Sequence, residues 1–482
     1  MCETVICENF FTCKKFSHFQ KCALTIKVFS LVATSDQSFT LDWTTFGKVD
    51  KTFCSPTARR QNNQPFDTDS LEEKMDVRLS QPLLMDGATA TNLMLNGMPQ
   101  YSCPAQWILE NPSALQQLHH AFLQAGSRII CTPTAQANAV MLEKWELQDK
   151  MAEYNRRLAQ LTVETCRQFD PSVLVAGVVA PLEIQAEPFG ETPFLDLVGI
   201  YASQALALKE GGVDLLIADT MTTISQSRAA ILGCRQAGLP VMVTLNVEED
   251  GETCMGSDLV SALIVCQNLG AAAFGLSCCD RPEKLYHHIE EIAPYAKIPL
   301  IVRPRAGEDF DRMLSPEEMA EQMRGLLSRG ATLVGGCCYT TPEHIAKIGQ
   351  MMREFDFHSV HVEKEDAQTI LMAGATEPYF LDEYFDQTEP IYCRRDMSDE
   401  LLELEESGAD VATICIETVD DAYCFALNAY MLHMPVSFLS DSEEALEMAL
   451  LMYNGCAFVD SRSNLDESIL ERLAKGYGAV VR

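Results

Sequence analysis

Two short segments of the sequence place cysteines in a pattern that could do chemistry. One reads GLSCC and contains Cys278 and Cys279, and the other reads GGCCY and contains Cys337 and Cys338. Each segment follows an apolar run, and its glycine lets the backbone turn sharply ahead of the cysteines. In parallel α/β barrels the chemistry lies at the carboxyl ends of the strands. Cys278, Cys337 and Cys338 could therefore meet at one mouth.

Three thiolates that converge in this way suit a metal ion. Soft thiolate ligands favour Zn²⁺, and three protein ligands leave one coordination place open, as in catalytic zinc sites. A helix predicted to begin at Thr341 would place partial positive charge near the thiolates. Zn²⁺ would deprotonate an incoming thiol and leave it able to attack a methyl group. The alternative is that the adjacent cysteines are small buried apolar residues.

Strands that alternate with helices must position these cysteines. Short apolar runs, each followed by a helical pattern, predict parallel βα units. The near-continuous hydrophobicity of the runs indicates strands covered on both faces. The runs lie at residues 83–85, 129–131, 173–178, 215–218, 241–244, 272–276, 300–302 and 333–335. They predict a closed (β/α)₈ TIM barrel over residues 79–354.

The rest of the chain divides around this barrel. Residues 1–78 show no steady period, which predicts a poorly structured leader that a natural start near Met75 would remove. Residues 355–397 are predicted to form an acidic connector. A second βα rhythm fills residues 398–482, and its four apolar runs are too few to close a barrel. We therefore expect an α/β protein in which a smaller C-terminal α/β half-barrel follows the TIM barrel.

Composition and charge exclude several classes of function. The net charge of -33, from 36 basic and 69 acidic residues, opposes binding to a phosphate backbone, so no nucleic-acid partner is expected. No apolar run reaches the length of a membrane span, so no membrane contact is expected either. The 19 cysteines are spread over a long, apolar-rich chain, which favours a reducing cytoplasmic location over a disulfide scaffold.

The sequence resembles the homocysteine S-methyltransferase family, whose zinc cysteines lie in G-x-N-C and G-G-C-C segments. Here the segments read GLSC at residues 275–278 and GGCC at 335–338. DGATATNL at 86–93 resembles the family's opening segment, CTPTAQAN at 131–138 resembles T-N-T-F-x-A-N, and GVDLLIADTM at 212–221 resembles G-V-D-x-x-x-x-E-T. The resemblance covers residues 81–352, and GGCC after an eighth strand is its most specific part.

The resemblance implies a reaction. Homocysteine would bind Zn²⁺ as a thiolate and be methylated to methionine, as in the N-terminal module of cobalamin-dependent methionine synthase. The metal ligands would be Cys278, Cys337 and Cys338. The methyl donor would be a methylcorrinoid or methyltetrahydrofolate system, with methylcobalamin supplied by a partner corrinoid protein. The oligomeric state stays open, a homo-oligomer included.

The resemblance also implies which residues hold the substrate. Asp86 and Asp219 would attract the ammonium group of homocysteine, and the backbone N–H groups of Gly87 and Ala88 would bind its carboxylate. The residues alone also allow both aspartates to be turn or capping carboxylates. Arg305 stands where the family typically has asparagine, and such a cation could pair with the carboxylate of a different thiol substrate.

The C-terminal unit resembles the first half of the pterin-binding barrel of methyltetrahydrofolate methyltransferases, through segments such as GADVATICIE at residues 408–417. The segment Cys415-Ile416-Glu417 replaces that family's D-x-N at a strand end, and Leu439 replaces its aspartate after P-L-S-I, so a docking or oligomerisation role is expected here instead of folate binding. Two alternatives to the homocysteine enzyme follow. The chain could be a zinc-bearing binding subunit of a corrinoid methyl-transfer complex, or a methyltransferase for another small thiol.

Overall fold

A closed parallel barrel forms the first part of the structure. The computed structural model describes residues 78–482, so the leader predicted for residues 1–78 lies, except for its last residue, outside the described residues. Within the described part, the barrel strands are β1 Leu83–Leu84, β2 Ile129–Cys131, β3 Leu174–Val179, β4 Leu215–Met221, β5 Val241–Leu245, β6 Ala273–Ser277, β7 Leu300–Arg303 and β8 Ala331–Val334. Their positions confirm the predicted eight-stranded order.

Hydrogen bonds close this barrel between its first and last strands. From β2 to β8 each strand pairs in parallel with the next one in sequence, and β8 pairs with β1. The remaining gap between β1 and β2 is bridged by the Arg128 N–H, which donates to the Leu84 carbonyl at 2.7 Å, and by the Asp86 N–H, which donates to the Ile129 carbonyl at 3.1 Å. All eight carboxyl ends therefore point to the same mouth.

Helices cover the outside of the barrel. They are α1 Thr89–Leu95, α2 Pro104–Glu110, α3 Pro112–Ala125, α4 Ala139–Glu143, α5 Met151–Phe169, α6 Phe194–Glu210, α7 Ile224–Cys234, α8 Leu259–Asn268, α9 Tyr286–Ile292, α10 Pro316–Leu327 and α11 Pro342–Glu354. Helix α10 begins as the sequence indicates, because the Ser315 side chain accepts from the Glu318 N–H and Glu318 bonds back to Ser315. No helix within residues 78–482 combines the length and apolar character needed to cross a membrane.

A second, smaller parallel sheet follows the barrel. Its strands are β11 Ile391–Tyr392, β12 Ala412–Cys415, β13 Val436–Leu439, β14 Phe458–Val459 and β15 Val480–Val481, paired in that order. Helices α12 Ser398–Glu405, α13 Val419–Asn428, α14 Glu443–Met452 and α15 Glu467–Tyr477 connect them. Sequence analysis found four of these strands and missed β11. This strand has two residues, one of them exposed, so it forms no apolar run.

The segment between the two sheets contains more structure than the acidic composition indicates. An antiparallel hairpin is formed by β9 Ile370–Ala373 and β10 Pro378–Leu381. Strand β9 is mostly buried, whereas Phe380 on β10 is exposed, so the hairpin uses one face for packing. The barrel, the hairpin and the second sheet belong to one compact unit. The boundaries proposed at residues 354 and 398 stay predictions.

Arg228 on α7 joins the barrel to the second sheet. Its side chain is buried, and its guanidinium group donates to the carbonyl oxygens of Leu450 at 2.9 Å, Leu451 at 3.3 Å and Gly455 at 3.2 Å. Leu450 and Leu451 lie in the last turn of α14, where carbonyl groups lack partners within the helix. Burial lowers the pKa of Arg228 to about 10, so the group stays charged at neutral pH. The cation therefore supplies the missing partners of α14.

We predict that Arg228→Met lowers the free energy of unfolding by about 2–4 kcal/mol, because buried carbonyl groups of α14 lose their donor. Chemical denaturation followed by circular dichroism measures this change. Arg157→Met on α5 is the matched control, since the Arg157 side chain is about half exposed and pairs with Glu153 at the surface, and it is expected to cost less than about 0.5 kcal/mol. Equal effects of the two substitutions would contradict the role given to Arg228.

Candidate metal centre

Cys278 is the first residue after β6 and has an unusual backbone. Its φ of 61° lies in the left-handed region, which a residue with a side chain rarely adopts. The N–H of Cys278 donates to the carbonyl oxygen of Arg303 at 2.9 Å, and its own carbonyl accepts from Nη2 of Arg305 at 2.8 Å. Arg305, which sequence analysis considered as a substrate contact, thus stabilises a strained turn. The turn fixes the direction of a buried thiol.

Cys337 and Cys338 follow β8 in a loop that needs its glycines. A Cβ atom at Gly335 would come within 2.7 Å of the Asp86 carbonyl oxygen, and one at Gly336 within 2.4 Å of Oγ1 of Thr340. The glycines therefore allow the loops after β1 and β8 to lie against each other. The N–H of Cys337 donates to the Pro304 carbonyl at 2.9 Å, and the carbonyl of Cys338 accepts from the Ala306 N–H at 3.0 Å.

The structure brings the three predicted thiols together. The Sγ atoms of Cys278, Cys337 and Cys338 all lie within 4.8 Å of one another, and those of Cys278 and Cys338 are 3.1 Å apart. Tetrahedral zinc with Zn–S bonds of about 2.3 Å holds its sulfur ligands about 3.8 Å apart, so the spacing suits one ion after small adjustments. The neighbouring Cys278 thiol raises the pKa of Cys337 to about 12, so the metal-free thiol keeps its proton at neutral pH.

Cys279 does not share this cluster. Its Sγ atom accepts from the Val247 N–H at 3.4 Å and donates to the Leu245 carbonyl at 3.5 Å, which turns it towards β5. Burial raises its pKa to about 12, so the thiol is neutral. The neighbouring cysteines 278 and 279 therefore have different environments. For Cys279, which is partly buried, the packing role that the sequence offered as the alternative for the adjacent cysteines fits its position.

Asp86, Asp219 and Arg303 form a buried ionic group at the same mouth. Nη1 of Arg303 lies 2.8 Å from Oδ2 of Asp219, and Nη2 lies 3.5 Å from Oδ1 of Asp86. Their remaining oxygens are also paired, with Oδ2 of Asp86 accepting from the Cys131 N–H at 2.8 Å and Oδ1 of Asp219 from the Thr244 hydroxyl at 2.7 Å. Burial raises the pKa of Asp86, and the Arg303 guanidinium opposes that rise.

Arg303 is the member of this group that sequence analysis missed. It is the last residue of β7 and its side chain is only 5% exposed, with its Nε atom buried and lacking a hydrogen-bond partner among the described residues. Its backbone carbonyl accepts from the Cys278 N–H, and its charge opposes the rise in the pKa of Cys337 that the Cys278 thiol causes. A cation at the carboxyl end of a barrel strand was a usable signal, because a charge there must be paired or functional.

Thr340 connects the substrate segment to the cysteine loop. Its Oγ1 atom accepts from the Ala88 N–H at 3.0 Å and donates to the Cys337 carbonyl at 2.6 Å. Asn92 adds a second connection, since its side-chain amide donates to the carbonyl oxygens of Ala88 and Thr340. The Ala88 N–H, which was predicted to bind a substrate carboxylate, therefore has an internal partner. Gly87 is packed against the same hydroxyl, because an added Cβ would lie 2.8 Å from it.

The fold and the site define the class of protein: it is a (β/α)₈ barrel protein with three thiols gathered at the carboxyl ends of β6 and β8. The sequence model described as homocysteine S-methyltransferase matches residues 83–352, which is more than half of the chain. The chain belongs to the homocysteine S-methyltransferase family. This family assignment agrees with the resemblance found in the sequence.

Similar proteins include two methionine synthases. That of Mycobacterium leprae (strain TN) is 30% identical over 312 residues, which cover 60% of this chain and 25% of the relative. That of Mycobacterium tuberculosis (strain ATCC 25618 / H37Rv) is 28% identical over 305 residues, again 25% of the relative. The chain thus spans about a quarter of these relatives. The metallated homocysteine methyltransferase MmuM of Escherichia coli has a TM-score of 0.48 and 22% identity, and the match covers 58% of this chain and 99% of MmuM.

We predict that Thr340→Val destabilises the protein by about 1–3 kcal/mol and weakens Zn²⁺ binding, because the buried Ala88 N–H loses its acceptor and the Cys337 carbonyl, which retains the backbone N–H of Thr340, loses the hydroxyl donor. Thr340→Ser keeps the hydroxyl and is the matched control, with an expected loss below about 1 kcal/mol. Chemical denaturation and a competitive Zn²⁺ titration measure the two effects. A valine variant whose metal affinity equals that of the serine variant would show that Thr340 does not position Cys337.

Proposed function

We propose that this chain is a zinc-dependent S-methyltransferase in which Cys278, Cys337 and Cys338 hold the metal and a small thiol accepts the methyl group. The observation that carries the proposal is the approach of three Sγ atoms to within 4.8 Å at the mouth of a barrel that belongs to the homocysteine S-methyltransferase family. Three thiolates are a donor set that selects zinc and leaves one coordination place for the acceptor. Bound zinc lowers the pKa of an incoming thiol, so that the thiol ionises near neutral pH.

The residues of the chain prepare the site for this chemistry. Hydrogen bonds from the loop after β7 hold the backbone of Cys278 and the cysteine pair at 337 and 338, so the sulfurs need little reorganisation. Of the three thiols, that of Cys278 is buried and those of Cys337 and Cys338 are partly exposed, so the cluster opens on one side. The acceptor sulfur then displaces the leaving group of the donor in line. An S–C bond forms, and the bond between the methyl carbon and the leaving group breaks with its electron pair going to the leaving group.

Homocysteine is the acceptor that the family description names, and we propose methionine as the product when it is the substrate. The contacts of Asp86 and Asp219 with its ammonium group, and of Gly87 with its carboxylate, stay predictions. The methyl donor is proposed to be a methylcorrinoid or methyltetrahydrofolate system. Methylcobalamin carried by a partner protein fits the similarity to methionine synthases, of which the chain spans only a part.

We predict that the purified chain binds about one Zn²⁺, and that Cys337→Ser lowers its Zn²⁺ affinity on the order of a hundredfold or more, since one of three thiolates is lost. Cys279→Ala is the matched control, because Cys279 faces β5 and should leave the affinity unchanged. Metal analysis after dialysis and a chelator competition measure this. Full zinc content in the serine variant would rule out the proposed ligand set.

The activity itself is tested with free methylcobalamin and homocysteine as the two reactants. We expect methionine to form with wild-type protein and its rate to fall at least about a hundredfold in Cys337→Ser, while Cys279→Ala retains it. Mass spectrometry of the product and the absorbance change of the corrinoid follow the reaction. Stable association with a corrinoid protein in the absence of any methyl transfer would instead favour the zinc-bearing binding subunit.

A further inference from the structure

The turn that carries two of the three thiols contains an unfavourable backbone conformation. The Thr340 N–H donates to the Cys337 carbonyl at 3.1 Å, which closes a β-turn whose two central residues are Cys338 and Tyr339. Tyr339 has a φ of 66°, in the left-handed region. Turns with a positive φ at the third residue favour glycine there, because a Cβ atom is poorly tolerated. Tyrosine is therefore an unfavourable residue for the backbone at this position.

Left-handed residues other than glycine gather at the mouth of the barrel. Three of the four among the residues that the structure describes are Thr220, Cys278 and Tyr339, which lie at or after the carboxyl ends of β4, β6 and β8. Such conformations persist only where surrounding contacts hold them, and they are common at functional sites. The contacts that hold Tyr339 therefore bear on the thiol cluster.

The ring of Tyr339 makes such a contact. It is only 7% exposed and meets the Phe310 ring edge-on, with the ring centroids 4.9 Å apart and the ring planes at 89°. This T-shaped arrangement is a favourable geometry for a pair of aromatic rings. A smaller side chain at residue 339 would keep the unfavourable φ and lose the packing that offsets it.

Phe310 lies in the loop after β7, and that loop is closed by its own backbone. The Leu314 N–H donates to the Ala306 carbonyl at 2.8 Å. The N–H of Ala306 in turn donates to the Cys338 carbonyl at 3.0 Å. The loop therefore contacts the cysteine turn twice, once at the backbone of Cys338 and once at the ring of Tyr339.

We propose that Tyr339 and Phe310 are positioning residues of the metal centre, because their ring contact holds the left-handed turn that aims the Cys338 thiol at the metal. The inference rests on the proposed function, since it takes Cys338 as a zinc ligand. A turn that relaxed to a negative φ at Tyr339 would lose the hydrogen bond between Thr340 and Cys337 and move the two sulfurs relative to each other. The apparent zinc affinity falls with the fraction of molecules that keep the turn.

Two substitutions of Tyr339 that differ only in their backbone preference test the proposal. Tyr339→Ala and Tyr339→Gly both remove the ring, but only glycine adopts the left-handed φ without a steric penalty. We expect Tyr339→Ala to lower the zinc affinity at least about fivefold and Tyr339→Gly to keep it within about twofold of wild type. Chelator competition with the full chain measures both constants. Equal affinities of the two variants, whether high or low, would overturn the inference.

Substitution of Phe310 probes the same contact from the other ring. We expect Phe310→Ala to lower the zinc affinity at least about threefold when Tyr339 is present, and to have no effect in Tyr339→Gly, where neither the ring nor the steric penalty remains. Tyr339→Phe retains the ring contact and should bind zinc as wild type does. Phe357→Ala is the matched control, because it breaks another edge-on pair, formed with Phe355 at the far end of α11. A loss of equal size in Phe310→Ala with and without Tyr339→Gly would contradict the proposed contact.

The outcomes separate this inference from the proposed function. If the wild-type protein binds no zinc, the proposed function fails and the inference fails with it. If the wild-type protein binds zinc and Tyr339→Ala binds it equally well, only the inference fails. If Tyr339→Ala does not fold, Phe310→Ala still decides, because Phe310 is partly exposed and its loop is closed by a backbone hydrogen bond.

Discussion

The candidate centre depends on backbone hydrogen bonds that join the end of β7 and the loop after it to the cysteine segments after β6 and β8. The carbonyl of Arg303, the last residue of β7, accepts from the Cys278 N–H. In the loop that follows, the Pro304 carbonyl accepts from the Cys337 N–H and the Ala306 N–H donates to the carbonyl of Cys338. Parallel strands bring β6, β7 and β8 side by side, so one short loop can hold both cysteine segments. Preorganised thiols of this kind bind a metal without the entropy cost of ordering the chain.

Residues 303–306, at the end of β7 and in the loop after it, have two structural roles. Their carbonyl groups and the Arg305 guanidinium fix the cysteines, whereas the Arg303 side chain turns into the barrel and pairs with two carboxylates. Buried charges of this sort add little net stability, since desolvation offsets their attraction. The polarity of the pocket is therefore set by the loop that also sets its geometry.

The sequence predicts the barrel and the thiol cluster well, because both leave local signals. Apolar runs mark the strands, and the GGCC segment after the eighth run marks the centre. Arg303 and Thr340 were missed for a physical reason, since their roles arise from residues far away in sequence: Arg303 and Asp86 are 217 residues apart, and Thr340 and Ala88 are 252 apart. Sequence analysis missed the hairpin of β9 and β10 because its strands are short and lie among acidic residues, which obscure the alternation of buried and exposed side chains.

The position of Arg228 has a consequence for how the chain can be divided. A barrel cut free of its second sheet would lose the carbonyl oxygens of Leu450 and Gly455 that accept from the Arg228 guanidinium on α7, together with the packing that buries this side chain. The smaller sheet therefore packs against the outside of the closed barrel through α7, and the two parts depend on each other. Transplanting the barrel alone into another protein would require a new partner for that arginine.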